Sequence, residues 1–171
     1  MLVTRPIAID DLDMFIALAR QAGPGFTSLA VSDEVLESRL QKSVASFKNS
    51  QAISPDHFYM LVLENTETGN IVGISAVKPQ IGMRDPFFNF RILQVAQKSA
   101  VTDRRFDMEV LVLVNEYAGA SEVGTLFVSK GMRGTGAGRL ISQSRYMLIA
   151  AAQERFSDTI ISELRGHVDD A

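Results

Sequence analysis

The chain has 171 residues, 46% of them hydrophobic and 22% charged, with no cysteine and no tryptophan. That length suits one domain, which removes roughly 70% of its extended-chain surface from water and so builds a core without staples. Zero cysteines exclude disulfides, thiolate metal sites and a cysteine nucleophile, and a formal net charge of −3 from 17 basic and 20 acidic residues argues against a general nucleic-acid binder.

Residues 2–5 read as a short strand stopped by Pro6, which has no N–H to donate. Asp10 or Asp11 then caps a helix over about 11–22, with Leu12, Phe15, Ile16 and Ala19 at helical spacing, ended by Gly23-Pro24-Gly25. Ser32 opens a second helix over about 33–47, whose inner stripe is Val35, Leu36, Leu40, Val44 and Phe47. The period then changes to two. Strands over 58–63 and 71–77 form an antiparallel hairpin through the Thr68-Gly69-Asn70 turn. Further strands are expected over 87–95 and 109–115, either side of a polar stretch, and another over 121–128. A glycine-rich loop over 129–138 leads into a helix over about 139–155 with Leu140, Ser144, Met147, Leu148 and Ala151 inward; its methionines and Tyr146 read as core. A last strand over 157–164 precedes a polar tail over 165–171. The longest apolar run, residues 146–152, is far short of the roughly 20 residues that cross a bilayer. The first six residues carry no secretory signal pattern. The expectation is a cytoplasmic α+β protein with neither a membrane nor a nucleic-acid partner.

The segment joining the 121–128 strand to the next helix holds four glycines in eight residues, Gly131, Gly134, Gly136 and Gly138. A helix start leaves backbone N–H groups unpaired and carries partial positive charge, so it attracts phosphate, and glycines admit a ligand close to that backbone. Lys130, Arg133 and Arg139 add formal positive charge around the turn. The bland alternative is a strand-to-helix turn with no ligand. The spacing excludes two common phosphate loops. A P-loop needs Lys-Ser/Thr where Ala137-Gly138 follows Gly136, and a dinucleotide fingerprint needs glycine where Arg139 stands.

Arg133-Gly134-Thr135-Gly136-Ala137-Gly138 resembles the Q/R-x-x-G-x-G/A signature of GCN5-related N-acetyltransferases. That resemblance implies a central, mostly antiparallel twisted sheet flanked by helices. It also implies that the N–H groups of the loop hold the diphosphate of an acyl-coenzyme A, with Leu126, Phe127 and Val128 pairing with the pantetheine arm through their backbone. Val3-Thr4-Arg5-Pro6 before Asp10-Asp11-Leu12 is similar to the superfamily's opening strand and first helix.

Peptides spread over nearly the whole chain resemble one family within that superfamily, arginine N-succinyltransferase. They include Gly25-Phe26-Thr27-Ser28-Leu29, Asp85-Pro86-Phe87-Phe88-Asn89-Phe90-Arg91, Ser121-Glu122-Val123-Gly124-Thr125-Leu126-Phe127 and Ser142-Gln143-Ser144-Arg145-Tyr146. The resemblance implies transfer of succinyl from succinyl-coenzyme A to the α-amino group of arginine in arginine breakdown, with no metal. Members usually carry Cys where Gly124 stands and Tyr where Phe88 or Phe90 stands. They run to roughly two such domains in length, with a proposed proton-donating histidine in the later half. The expectation is therefore that residues 1–171 are one acyl-CoA domain, the N-terminal half of a longer protein with the C-terminal part of the fold missing. Such a chain is expected to form homo-oligomers or to associate with a second half-domain.

Glu122 and Glu163 stand at strand ends near the expected cleft. Each either holds the substrate guanidinium or takes a proton from its ammonium, or is a solvated strand end or a salt-bridge partner of Arg165 or Arg145. Arg91, in the aromatic Asp85-to-Arg91 peptide, either meets the succinyl carboxylate or sits at the rim of a core strand. His57 and His167 read as isolated surface histidines. The catalytic residue is left unassigned. Three rivals stay open: an acyltransferase for another amine, a coenzyme A-binding half that needs a second chain, and a module whose glycine loop is merely a turn.

Overall fold

The computed structural model describes residues 1–23, 25–49 and 52–164. Its elements follow in the order β1 (Leu2–Pro6), α1 (Leu12–Ala19), α2 (Asp33–Lys48), β2 (Tyr59–Asn65), β3 (Asn70–Lys78), β4 (Asn89–Ser99), β5 (Arg104–Val114), β6 (Ser121–Val128), α3 (Ala137–Ala151) and β7 (Ile160–Ile161). One sheet runs in the order β1-β2-β3-β6-β7, antiparallel except for the β6–β7 pair. Successive side chains of β2 point to opposite faces, and both faces are covered. Met60 and Val62 join Phe15, Leu18, Leu36 and Leu40 of α1 and α2, while Leu61 and Leu63 join Ala137 and Ile141 of α3.

Helix α1 is shorter than its periodicity predicts: a 3-10 turn, Ile9–Asp11, takes its first residue, and the helix ends at Ala19 rather than near Ala22. Asp11 ties that turn to β1. Its carboxylate accepts the Ala8 N–H at 2.7 Å and two bonds from Arg5 at 2.6 and 2.9 Å, and Arg5 Nε also reaches Glu64 at 2.5 Å. Burial pushes the Asp11 carboxyl up, but the bonds from Arg5 and Ala8 outweigh it and hold the group below its ordinary value.

Two expected inner stripes are corrected. On α2, Val35 is exposed, and Ser43 and Ser46 face the sheet instead. Their hydroxyls accept the main-chain N–H groups of Met60 at 2.8 Å and Phe58 at 2.9 Å, which would otherwise be buried without partners. Helix α3 starts two residues earlier than predicted and ends at Ala151, and a 3-10 turn follows over Gln153–Arg155. Counting from Ala137, the buried face is Ala137, Ile141, Ser144, Arg145 and Ile149. Leu140, Tyr146 and Met147 are therefore exposed rather than core.

The expected strands over 87–95 and 109–115 do not join the central sheet. Strands β4 and β5 form a separate hairpin, in register from Asn89 opposite Val114 to Ser99 opposite Arg104. The polar stretch read as a spacer is its outer half, because cross-strand backbone bonds form whatever the side chains are. Strand β7 is only two residues long, against the eight expected over 157–164.

Candidate active site

The junction of β6 and α3 is built by backbone. Gly136 caps α3 at φ +88° and Gly134 sits at +79°, both in the left-handed region that side chains avoid. A Cβ on Gly136 would meet nothing within 4 Å, so the backbone angle rather than crowding calls for glycine. The first helical bond is donated by Leu140 N–H to the Gly136 carbonyl at 3.0 Å. Among the described residues, none of the main-chain N–H groups of residues 134–139 finds an acceptor, so a run of donors converges at the positive end of a 15-residue helix. Lys130, Arg133 and Arg139 are exposed around it with no ion pair among the described residues, and Arg133 stacks over the Phe127 ring at 5.9 Å.

Strand β6 is bent just before this junction. Ile74 lies opposite Phe127 but Ala76 lies opposite Gly124, so Thr125 and Leu126 share the place facing Ser75, and Thr125 takes φ +51°. That is a β-bulge, a device that re-aims a strand. On its other side β6 is joined by β7 only at Ser121 and Glu122, and among the described residues its edge beyond them has no strand partner. Ser129 N–H donates to the Val72 carbonyl at 2.9 Å; by the alternation of an antiparallel ladder, Val128 then turns its N–H and C=O toward the open edge. The side chains of Phe127 and Val128 are buried, so only their main chain is on offer.

Where β6 and β7 part, a cleft of about 1360 Å³ opens. Its wall includes Glu122, Val123, Gly124, Thr125 and Leu126 of β6, Ser162, Glu163 and Leu164 after β7, Arg145 of α3, Arg39 and Lys42 of α2, and Lys78 of β3. The two predicted carboxylates are thus brought together in one cleft. Glu122 pairs with Lys78 Nζ at 2.7 Å rather than with Arg145, and Glu163 is exposed with no ion pair among the described residues. Among the described residues four cationic side chains and two carboxylates line the cleft, the reverse of the chain's overall acidity.

Two expectations are corrected here. Arg91 does not line the cleft; it sits on the exposed hairpin and pairs with Glu116 at 2.5 Å, and Phe88 and Phe90 are exposed beside it. Because β4 leaves the central sheet, nothing carries this peptide to the cleft wall. His57 is not a surface histidine. It is buried in the cleft wall between Asn49 and the Tyr59 hydroxyl, each at 3.2 Å, and burial, aided by the nearby Arg155, lowers its affinity for a proton. His167 and Arg165 lie outside the described residues. Arg39, Lys42 and Arg145 escaped the sequence reading as site residues. The available signal was Arg145 next to Ser144 on the inward face of an amphipathic helix.

The sequence model of the family described as arginine N-succinyltransferase beta subunit matches residues 2–171. The chain belongs to the arginine N-succinyltransferase family. Relatives from Escherichia coli strains, named arginine N-succinyltransferase, are 33% identical over 170 residues, covering 99% of this chain and 49% of theirs. The arginine/ornithine succinyltransferase subunit AI of Pseudomonas aeruginosa superposes with a TM-score of 0.90 at 30% identity, over 99% of this chain and 52% of that one. The chain therefore spans about half the length of the family relatives it matches. The glucosamine-6-phosphate N-acetyltransferase of Arabidopsis thaliana, at 14% identity and TM-score 0.53 over 96% of this chain and 83% of that one, shares the fold. The family thus has the α+β acyltransferase architecture of a mostly antiparallel sheet between helices.

Proposed function

We propose that residues 1–171 form an acyl-coenzyme A domain, the N-terminal half of a longer arginine N-succinyltransferase. Its reaction moves a succinyl group from succinyl-coenzyme A to the α-amino group of arginine. The observation that carries this reading is the run of unpartnered N–H groups over 134–139 at the head of α3, beside an open strand edge. The amides of Gly134, Thr135, Gly136, Ala137 and Gly138, with Arg133, are the diphosphate site, since donors at a helix start match anionic oxygens. Val128 and its neighbours Leu126 and Phe127 offer main chain to the pantetheine amides.

The thioester then lies where β6 and β7 part. Once deprotonated, the amine nitrogen attacks the thioester carbonyl, the carbon–sulfur bond breaks, the nitrogen sheds a second proton as the amide forms, and the leaving thiolate takes up one proton. An outward N–H of β6 near the bulge stabilises the oxyanion. Glu163, exposed and without an ion pair among the described residues, takes the ammonium proton, while Glu122, held beside Lys78, meets the guanidinium.

Titration of the chain with coenzyme A, followed by turnover of succinyl-coenzyme A with arginine, tests the reading. Saturable binding supports it, and no binding at millimolar coenzyme A refutes it. A second reading is favoured by one observation, that the chain covers 49% of its relatives. On that reading the domain binds the donor and needs a second chain for turnover, and adding that chain restores activity.

A further inference from the structure

We propose that Arg145 is the seat of a substrate carboxylate in the cleft between β6 and β7, a role that rests on the acyl-coenzyme A reading above. Arg145 is 5% exposed, on the inward face of α3, and lines the cleft. Its Nε donates to the Ser142 carbonyl at 3.2 Å and its Nη2 to Ser142 Oγ at 2.8 Å, whereas Nη1 has no acceptor among the described residues. Every fully buried side-chain nitrogen or oxygen among the described residues has a partner, so Nη1 is not sealed in protein, and Arg145 is part of the cleft lining. Among the described residues no carboxylate pairs with the guanidinium, although Glu122 and Glu163 line the same cleft and Glu122 is held by Lys78.

A buried cation without a counter-charge is costly unless a ligand supplies one. Arg5 shows the contrast: gripped by Asp11 and Glu64, it holds its proton more tightly than usual, while for Arg145 burial outweighs the opposing pull of Tyr146 and loosens the proton. A guanidinium fork matches a carboxylate through paired bonds. Arg145 also lies nine residues along the helix from Gly136, about 13 Å by the helical rise, which sets it well away from the diphosphate end. Both substrates carry a carboxylate, the distal one of the succinyl group and the α-carboxylate of arginine.

The test compares wild type, R145Q and R145K by calorimetry in two ligand pairs. The first is succinyl- against acetyl-coenzyme A. The second is arginine against agmatine, which lacks the α-carboxylate, with coenzyme A present. R145Q is expected to weaken the carboxylate-bearing member of one pair by at least about tenfold and its partner ligand by less than about twofold, and the pair affected identifies the source. R145K keeps the charge and loses the fork. It gives a smaller loss in the same pair and serves where R145Q does not fold. Unchanged ratios in both pairs, with coenzyme A still bound, overturn the role of Arg145 alone. Failure of wild type to bind coenzyme A overturns the acyl-coenzyme A reading and this inference with it.

Discussion

The two ends of β6 offer a ligand different atoms. Toward Val128 and α3 the groups available are main-chain amides flanked by the exposed Lys130, Arg133 and Arg139, and the side chains of Phe127, Val128 and Ala137 are turned into the core. Toward Glu122 they are charged side chains that arrive from α2, β3, α3 and the segment after β7. Backbone chemistry of the first kind is written locally, because a left-handed helix cap demands glycine at a fixed place in the chain. Side-chain chemistry of the second kind is assembled only when the sheet and helices pack.

The comparison breaks first at the glycine end. Gly136→Val forces a branched side chain onto a residue at φ +88° and disturbs several amides at once. At about 1.5–3 kcal/mol for each bond to a charged group, the affinity for coenzyme A is expected to fall more than about a thousandfold by calorimetry. An unchanged affinity would show that the loop amides hold nothing. Asp11→Ala, remote from both ends, should cost about 3 kcal/mol in urea unfolding, since it strips a carboxylate from Arg5 and an acceptor from the Ala8 N–H. Because the folded Asp11 carboxyl titrates below its ordinary value, the stability it contributes is complete above about pH 4 and is lost as the pH falls through the lowered folded value. The D11A protein should lack that acid-side step.

At the other end, Glu163→Gln should lower kcat/KM for arginine by about a hundredfold while coenzyme A affinity stays within about twofold. Equal losses in both would merge the two ends into one site. The smallest effect is expected from Arg20→Ala, which removes an exposed pair with Asp33 at 2.6 Å and should change stability by less than about 1 kcal/mol.

Legibility in the sequence follows the same division. The 129–138 loop, β6 and the order of elements along the chain were readable because glycine spacing and period-two patterning act on neighbouring residues. Hairpin β4–β5 was misjudged in extent, since Lys98 opposite Arg105 looks like loop by polarity and is strand by backbone pairing. Glu122 was legible at the start of β6, whereas Glu163, expected at a strand end, lies two residues beyond β7. Arg145 was missed, because a charged residue on an amphipathic helix reads as solvent-facing until the packing of α3 on the sheet turns it inward. Arg91 was misplaced for the complementary reason, that a strand rich in aromatics need not belong to the main sheet. His57 took its meaning from Tyr59 and Asn49, contacts that no local pattern announces.

The central claim is that main-chain amides at the start of α3 grip a diphosphate. Amide-resolved NMR of the ¹⁵N-labelled chain during titration with coenzyme A tests it most directly. The account predicts saturable shifts concentrated on residues 134–139 and on Val128. Resonances there that stay in place while coenzyme A is saturating, or shifts confined to another face of the sheet, would contradict it.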